Sequence, residues 1–398
     1  MIVAGEPSGD AHAASLVRAL RERAPDATFE FFGGTQGLMR EAGVEAVVNT
    51  DELSITGLVE IASALPRFRR AYRKLKRAGL ERKPDAVVLV DFPDFNLRLA
   101  RAFHSRGLRV VYYVSPQLWA WRGYRVRQVR RDVDLLLALL PFEPAWYAAR
   151  GVSHVEFVGH PLASEVRRLD NRAEFCRRHG LDAAREIVAL LPGSRRKELE
   201  RILPVMLEAA KLVSRRRAGM QFVVALAPTR APDEAERVVS NVLHPGDGAS
   251  GVSLRVVGGE TREALSASDA AAVASGTATL EAALAETPLV VVYKESRLNW
   301  HALGSLISVE HYGLVNLVAG ERVAAELMQY DFTPEALARE LVTLLDPEHN
   351  ARTRGRLRAA TARLREGRAS ERAADATLRA LRAWRDIGEV KSPQHGGL

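Results

Sequence analysis

Residues 187–206 read IVALLPGSRRKELERILPVM. An apolar run from Ile187 to Leu190 ends in a turn of proline, glycine and serine, and a helical pattern with apolar residues at 199, 202, 203 and 206 follows. A buried strand, a tight turn and an amphipathic helix together form the repeating unit of a parallel α/β sheet. This stretch therefore predicts an α/β protein.

The same alternation continues on both sides of this stretch. Towards the N-terminus, the apolar runs cover residues 2–4, 29–32, 86–90, 108–114, 135–139 and 155–158. Towards the C-terminus, they cover residues 222–225, 254–257, 271–274 and 289–292. Two such series predict two Rossmann-like domains with parallel sheets, and an active site in the cleft between them, at the carboxyl ends of the strands.

The turn Gly159-His160-Pro161 separates the two series, because proline cannot continue the hydrogen-bond ladder of a sheet. A chain of 398 residues also exceeds the size at which a single core usually stops growing. We therefore expect an N-terminal domain at 1–161, completed by helices within 352–386, and a C-terminal domain at 162–350. The tail, 388–398, is expected to be disordered.

The net charge of +8 and the pI near 9.8 favour an anionic partner, and nucleic acid, acidic phospholipid and phosphorylated sugars all qualify. The N-terminus lacks the basic start and the cleavage site of a signal peptide, and no apolar run is long enough to span a bilayer, so a cytoplasmic protein is expected. The single cysteine, Cys176, excludes an intrachain disulfide.

Two turns between a strand and a helix have the composition of phosphate-binding turns. One contains Ser194 and Arg195, and the other contains Ser275, Gly276 and Thr277. Small residues allow the backbone to approach phosphate oxygens, while free N–H groups and a guanidinium favour their charge. Glu281, one turn into the second helix, could accept hydrogen bonds from a ribose. The alternatives are a solvated arginine and a capped helix with Glu281 facing solvent.

Asp91 follows the apolar run 86–90 directly, where it would lie at the mouth of the cleft and could act as a general base. Asp94, three residues later, would instead cap the next helix. The segment GEPSGD at 5–10 is either a plain turn, with Asp10 capping its helix, or a ligand-binding turn. It is not G-x-G-x-x-G, so a nicotinamide cofactor is unsupported.

Trp119 and Trp121 lie two residues apart on a polar loop that follows another strand. Aromatic rings in this position could stack on a sugar or line the cleft. The alternative is that both rings pack into the core of the domain.

Eight motifs in this order resemble those of the lipid-A-disaccharide synthase family. They are GEPSGD at 5–10, DFPDFN at 91–96, YVSPQLWAWR at 113–122, LPFE at 140–143, GHP at 159–161, LLPGSR at 190–195, ASGTATLE at 274–281 and VNL at 315–317. The resemblance implies the GT-B fold, UDP-2,3-diacylglucosamine as donor, and 2,3-diacylglucosamine 1-phosphate (lipid X) as acceptor. The implied products are a β-1′,6-linked disaccharide 1-phosphate and UDP.

The resemblance also implies roles for single residues. The catalytic aspartate of the family corresponds to Asp91 and its N-terminal functional glutamate to Glu6. Its nucleotide-contacting arginine corresponds to Arg195, and its functional asparagine, which we expect in the substrate cleft, corresponds to Asn316. An α-linked donor and a β-linked product require inversion, so one base and one leaving-group site suffice, without a metal or a cofactor.

The family associates with membranes through an apolar helix with basic flanks, and the matching stretch is 59–68. The apolar residues expected to enter the lipid boundary are Val59, Ile61, Leu65 and Phe68. The resemblance therefore implies peripheral association with an anionic inner-membrane surface. The alternative is an ordinary Rossmann helix that packs its apolar face on the sheet, because such a helix would show a similar pattern.

Rival functions are another UDP-sugar transferase or epimerase and, from a different class, a basic nucleic-acid-binding protein that uses residues 352–385. The apolar helix at 59–68 and the WAWR motif count against both an epimerase and a transferase with a polar acceptor, and we expect no nucleic acid as partner. The sequence leaves the oligomeric state, including a homodimer, open.

Overall fold

The computed structural model describes residues 1–51, 60–243, 252–296, 300, 310–365 and 368–390, without the side chains of 60–64, 365 and 387–390. The chain divides into two compact units: residues 1–161 with 366–398 form unit 1, and residues 162–365 form unit 2. Each unit contains its own parallel sheet.

The sheet of unit 1 is built from short, largely buried strands. They are β1 (Ile2–Ala4), β2 (Phe32–Thr35), β3 (Glu45–Asn49), β4 (Val87–Val90), β5 (Val110–Tyr113), β6 (Leu135–Ala138) and β7 (Val155–Phe157). Within the described residues their order is β3-β2-β1-β4-β5-β6-β7, and all neighbours are parallel. The order reverses between β1 and β4, which makes the carboxyl ends of these two strands the switch point of the sheet.

Helices cover both faces of this sheet. They are α1 (Pro7–Arg23), α2 (Gly37–Glu41), α3 (Glu60–Arg82), α4 (Pro93–His104), α5 (Val126–Asp132) and α6 (Glu143–Ala148). Leu16, Val17 and Leu20 of α1 are buried on one face, and Leu99 and Phe103 of α4 on the other. Proline at the first position of α1 and of α4 suits the start of a helix, since the N–H that proline lacks would have no partner there.

Unit 2 repeats the topology with six strands among its described residues. They are β8 (Ile187–Leu191), β9 (Gln221–Leu226), β10 (Ser253–Gly258), β11 (Ala270–Ala274), β12 (Leu289–Tyr293) and β13 (Ala325–Met328). Their order is β10-β9-β8-β11-β12-β13, again parallel, and the switch point lies between β8 and β11. Two Rossmann-like sheets, as expected from the sequence, are thus confirmed.

The helices of unit 2 enclose its sheet on both sides. They are α7 (Leu162–Glu165), α8 (Arg172–His179), α9 (Arg196–Arg216), α10 (Pro232–Val242), α11 (Thr261–Ala267), α12 (Ala278–Leu284), α13 (Leu314–Ala319), α14 (Pro334–Leu344) and α15 (Pro347–Ala362). The apolar face of α9 is buried against the sheet through Leu199, Ile202, Leu203 and Met206, the positions that the sequence pattern predicts.

The last helix, α16 (Ala369–Val390), belongs to unit 1. Ala373 and Ala374 are buried in the same core as α1, and Glu371 forms an ion pair of 2.7 Å with Arg23. The expectation that all helices within 352–386 complete the first domain is wrong for α15. Leu357 of α15 is buried in the core of unit 2.

The tail and two strands also differ from the sequence prediction. Residues 388–390 continue α16, and 391–398 lie outside the described residues. The run at 29–32 was expected to be a strand, but β2 begins only at Phe32. β3 and β13 are absent from the prediction, because glutamate or asparagine in their sequences, EAVVN and AELM, breaks the apolar pattern of each strand.

Candidate active site

A cavity of about 660 Å³ opens at the switch point of unit 2. Its walls come from the residues that follow β8, β9, β10 and β11. The two turns predicted to bind phosphate both line it, with Ser194 and Arg195 after β8 and Ser275, Gly276 and Thr277 after β11. Because a switch point is where open α/β sheets bind ligands, this cavity is the candidate nucleotide site.

The turn after β8 is held by a carboxylate. Glu198 Oε2 accepts hydrogen bonds from the backbone N–H groups of Ser194, at 3.0 Å, and Arg195, at 3.1 Å. Gly193 has a φ of +113°, a conformation that glycine adopts without steric cost. In the observed state, the N–H groups that the sequence predicts to bind phosphate are therefore bound to Glu198.

The guanidinium of Arg195 remains accessible. It is 80% exposed, and its contact with Glu198 Oε1 is 3.3 Å long. An exposed arginine at the rim of a cavity can turn towards a diphosphate and form charge-assisted, bidentate hydrogen bonds.

The turn after β11 is held by a side-chain hydrogen bond, and its glycine faces open space. The Ser275 hydroxyl donates to the carbonyl of Tyr312 at 2.8 Å, so it holds the turn to the segment before α13. Gly276 has a φ of +148°, and a Cβ built on it would meet no described atom within 4 Å. The backbone at Gly276 therefore faces open space, where a phosphate could approach closely.

Glu281 lies on the cavity wall beside an arginine that sequence reasoning missed. Arg262 Nε is 3.5 Å from Glu281 Oε1, and Arg262 Nη2 is 3.3 Å from Glu165 Oε2. Burial raises the pKa of Glu281, and the nearby Arg262 opposes that shift. Arg262 lies four residues after β10, behind the turn Gly258-Gly259, and this glycine pair is the signal in the sequence that could have marked a third turn of the cavity.

The second candidate centre lies at the switch point of unit 1. Asp91 follows β4 and Glu6 follows β1, and these two strands are adjacent in the sheet. Burial, followed by the negative charge of Glu6, raises the pKa of Asp91 to about 6. A carboxyl group with this pKa is a suitable general base near neutral pH.

The backbone at Asp91 is unusual. Asp91 and Phe92 have φ angles of +49° and +51°, in the left-handed region that costs a non-glycine residue about 1 to 3 kcal/mol. The ring of Phe92 fills the space beside Gly5, where a Cβ would overlap it. Glycine is therefore required at the start of the GEPSGD turn.

Two aspartates of these motifs have structural partners that differ from the expected ones. Asp94 caps no helix; it forms ion pairs with Arg122, at 2.9 Å, and Arg125, at 2.5 Å. Asp10 does not cap its own helix, α1. Its carboxylate accepts N–H groups at the start of α2, including that of Leu38 at 2.8 Å.

The two tryptophans have different environments. Trp119 is only 8% exposed, and its Nε1 donates to Glu143 Oε1 at 3.1 Å, so it packs in the core. For this ring, the burial favours the alternative, which is packing in the core of the domain. Trp121 is 45% exposed, with the guanidinium of Arg122 4.2 Å from the centre of its ring.

Glu143, the carboxylate that accepts the hydrogen bond from Trp119, is itself buried, and burial raises its pKa to about 7.

Asn316 is fully buried, and its amide is used inside the protein. Its oxygen accepts from the N–H groups of Val323 and Ala324 at 2.9 Å, and its nitrogen donates to Glu326 Oε1 at 2.8 Å. In the observed state, both polar atoms of the Asn316 amide are thus bound within the protein. Glu326 in turn accepts the N–H of Tyr312 at 3.0 Å, so Asn316 braces the segment that holds Ser275.

The four apolar residues expected at the membrane are only partly described. Val59 lies outside the described residues, and Ile61 lies within α3 without a described side chain. Leu65 is 44% exposed. Phe68 is partly buried, with its ring centre 6.0 Å from that of Phe92, so it supports the loop of Asp91.

Cations dominate the surface of α3 that follows Leu65. Arg69, Arg70, Arg73 and Lys74 line a shallow surface pocket together with Pro66. Arg69, Arg70, Arg73 and Lys74 have no acidic partner within 4.0 Å among the residues that the structure describes. In the described parts of the chain, no helix has both the length and the apolar character needed to cross a membrane.

Two Rossmann-like sheets, the second with a nucleotide-sized cavity at its switch point, define the GT-B class of two-domain α/β proteins. The fold of Staphylococcus aureus MnaA, solved in a co-structure with UDP, is similar, with a TM-score of 0.61, 14% sequence identity and 96% of each chain covered.

The protein-family model described as lipid-A-disaccharide synthetase matches residues 1–380, and the chain belongs to this family. The lipid-A-disaccharide synthase of Trichlorobacter lovleyi is 44% identical, over 95% of this chain and 96% of that protein. The lipid-A-disaccharide synthase of Myxococcus xanthus is 46% identical, over 86% of each chain. Membership makes the chain a transferase of lipid A biosynthesis, and it does not favour an epimerase or a nucleic-acid-binding protein.

Proposed function

We propose that the chain transfers the sugar of UDP-2,3-diacylglucosamine to the 6-hydroxyl of 2,3-diacylglucosamine 1-phosphate, forming the β-1′,6-linked disaccharide 1-phosphate and UDP. The observation that carries this proposal is that each unit has a candidate centre at the switch point of its own sheet. Unit 2 has a cavity lined by two small-residue turns, and unit 1 has a desolvated carboxyl group at Asp91. Membership of the family supports the same reaction.

The cavity of unit 2 would hold the UDP portion of the donor. Arg195 and the open backbone at Gly276 would contact the diphosphate, with Ser194, Ser275 and Thr277 completing the walls. Glu281 would accept hydrogen bonds from the ribose. Negative charge grows on the diphosphate as the bond to the sugar breaks, so a cation placed there stabilises the transition state more than the ground state.

Asp91 would act as the general base. Its carboxylate accepts the proton of the acceptor 6-hydroxyl while that oxygen bonds to C1 of the donor sugar and the bond from C1 to the phosphate oxygen breaks. One displacement inverts the configuration at C1, which gives the β linkage from an α-linked donor. Proton acceptance of this kind contributes roughly 10² to 10⁴ in rate.

Glu6 would tune this base. Its negative charge raises the pKa of Asp91, which makes the Asp91 carboxylate a stronger proton acceptor than an ordinary aspartate. Because Glu6 is itself exposed, its carboxylate could also contact the acceptor sugar.

Both substrates carry acyl chains, so the enzyme must collect them from a bilayer surface. The cations of α3 would bind anionic head groups on the cytoplasmic face of the inner membrane, and the Leu65 side chain would insert at the boundary between head groups and acyl chains. Trp121, which is exposed, would contact the sugar or an acyl chain of the acceptor.

The test is UDP release from the purified enzyme, with each substrate supplied in acylated and in non-acylated form. We expect release only when donor and acceptor are both acylated, together with a disaccharide 1-phosphate product seen by mass spectrometry. UDP release with a non-acylated acceptor at an equal rate would contradict the proposed substrates. Interconversion of the donor with an epimer, without an acceptor, would contradict transfer altogether.

A further inference from the structure

The backbone carbonyl of Asp91 accepts two hydrogen bonds from side chains. The hydroxyl of Tyr112 donates to it at 2.7 Å, and Nδ2 of Asn96 donates to it at 2.8 Å. The same Asn96 nitrogen also donates to the carbonyl of Val90 at 3.1 Å. Side chains from α4 and from β5 thus meet at one backbone oxygen atom, that of the residue after β4.

Both donors are themselves immobile. Asn96 of α4 and Tyr112 of β5 are fully buried, with 0% of each exposed. Neither side chain can follow the Asp91 carbonyl if that carbonyl moves, because packed interiors leave no space for it. The two donors therefore set where the peptide group after Asp91 lies.

The peptide group needs such support. Asp91 and Phe92 both adopt positive φ, and two consecutive non-glycine residues do so only where the surroundings impose it. The Cβ of Asp91 lies against α1, 3.9 Å from the position that a Cβ on Gly9 would take. A relaxed backbone would move this Cβ, and with it the carboxyl group, away from α1.

We propose that Asn96 and Tyr112 are positioning residues, which hold the Asp91 carboxyl group in its reactive orientation by binding the Asp91 carbonyl. This inference rests on the proposed function, in which Asp91 is the general base. Neither residue touches substrate in this scheme. They act through the backbone, and within the described parts of the chain the titratable groups that interact with Asp91 are Glu6 and the Tyr112 hydroxyl itself.

Tyr112→Phe is the primary test, because it removes one donor and keeps the ring. We expect kcat to fall by about tenfold to hundredfold, since a small misplacement of a catalytic group has an effect of this size. KM for the donor and the affinity for UDP stay unchanged, because the donor cavity lies in unit 2. The acid limb of the kcat profile moves from near 6 towards the ordinary aspartate value of 3.8 as the carboxyl group becomes solvated.

Tyr147→Phe is the matched control. Tyr147 is equally buried, and its hydroxyl donates to another carbonyl, that of Pro116, at 2.8 Å. Both variants should lower the melting temperature to a similar extent, but only Tyr112→Phe should move the acid limb. Asn96→Ala removes the other donor and should act in the same direction as Tyr112→Phe.

A Tyr112→Phe enzyme that melts earlier but keeps both kcat and the acid limb would overturn the inference, since the tyrosine would then be merely structural. Failure of the proposed function looks different: Asp91→Asn would keep its turnover, and the base would lie elsewhere.

Discussion

Glu198 and Arg195 are joined twice, since one carboxylate oxygen of Glu198 accepts the backbone N–H of Arg195 at 3.1 Å while the other lies 3.3 Å from its guanidinium. Glu198 therefore occupies the position of an anion at the start of α9, on the wall of the nucleotide cavity. A diphosphate that enters this cavity meets a carboxylate as well as an arginine.

Replacing Glu198 by Gln keeps an oxygen that can accept the same N–H groups and removes the charge. We expect UDP to bind about threefold to tenfold more tightly, because a like charge beside the diphosphate is lost and Arg195 is released. Isothermal titration calorimetry with UDP measures this change. Glu200→Gln, on the exposed face of α9, is the control. Weaker binding to the Glu198 variant would mean that the carboxylate is needed to shape the turn.

Replacing Arg195 by Ala should weaken UDP binding by about tenfold to hundredfold, which corresponds to the roughly 1.5 to 3 kcal/mol of a hydrogen bond to a charged group. Arg196→Ala is a suitable control, since Arg196 is equally exposed but pairs with Glu200 and is absent from the cavity wall. Equal affinities for the wild type and the Arg195 variant in the same titration would place its guanidinium in solvent.

Replacing Asp91 by Asn should lower turnover by at least about 10², because the amide cannot accept the proton. UDP affinity should not change, which shows that the fold of unit 2 is intact. Asp94→Asn provides the comparison, since Asp94 is already paired with Arg122 and Arg125 and should lose much less activity. Near-normal turnover in the Asp91 variant would move the base to Asp94 or Glu6.

The same Asp91 variant should be more stable than the wild type at high pH. The folded protein retains the Asp91 proton up to a pH near 6, whereas an ordinary aspartate loses it near 3.8. Ionisation therefore destabilises the fold increasingly as pH rises from about 4 to 6, by about 1 to 3 kcal/mol in total. Melting curves should show Asp91→Asn above the wild type at pH 8, with the difference gone at pH 4. Equal curves at pH 8 would mean that the carboxyl group is well solvated.

Reversing two charges on α3, as Arg70→Glu with Arg73→Glu, should weaken binding to phosphatidylglycerol-containing vesicles at least about tenfold, since each surface cation contributes about 1 kcal/mol near an anionic bilayer. Leu65→Ser should weaken binding further with little change in melting temperature, because Leu65 is exposed. Phe68→Ser is not equivalent, since Phe68 packs on Phe92 and its loss should lower the melting temperature as well.

Arg215→Glu with Arg216→Glu is the charge-matched control for the vesicle experiment, because both arginines are exposed on α9 of unit 2. Vesicle binding that falls equally in both double variants would show that net charge, rather than the surface of α3, governs association.

The sequence by itself determined the fold class and the positions of the reactive turns. The apolar run 187–190 became β8, and 86–90 became β4, because a strand buried on both faces must be continuously apolar. The turns after them could be located for the same local reason, since glycine, proline and serine allow the chain to leave a sheet and start a helix. Asp91 stands directly after β4, and Arg195 ends the turn that follows β8, so their positions mark both as candidates.

Only the tertiary structure decided which groups meet and which remain accessible. Side-chain direction and packing decide that Glu198 binds the N–H groups before α9 and that Asn316 is buried. They also decide that Trp119 is buried while Trp121 is exposed. Arg262 reaches the nucleotide cavity from α11, and its contact with Glu281 could not be read from the turn that precedes this helix. A local pattern states where an element starts and ends, but the neighbours of a side chain are set by distant segments that the fold brings together, and no local pattern contains that information.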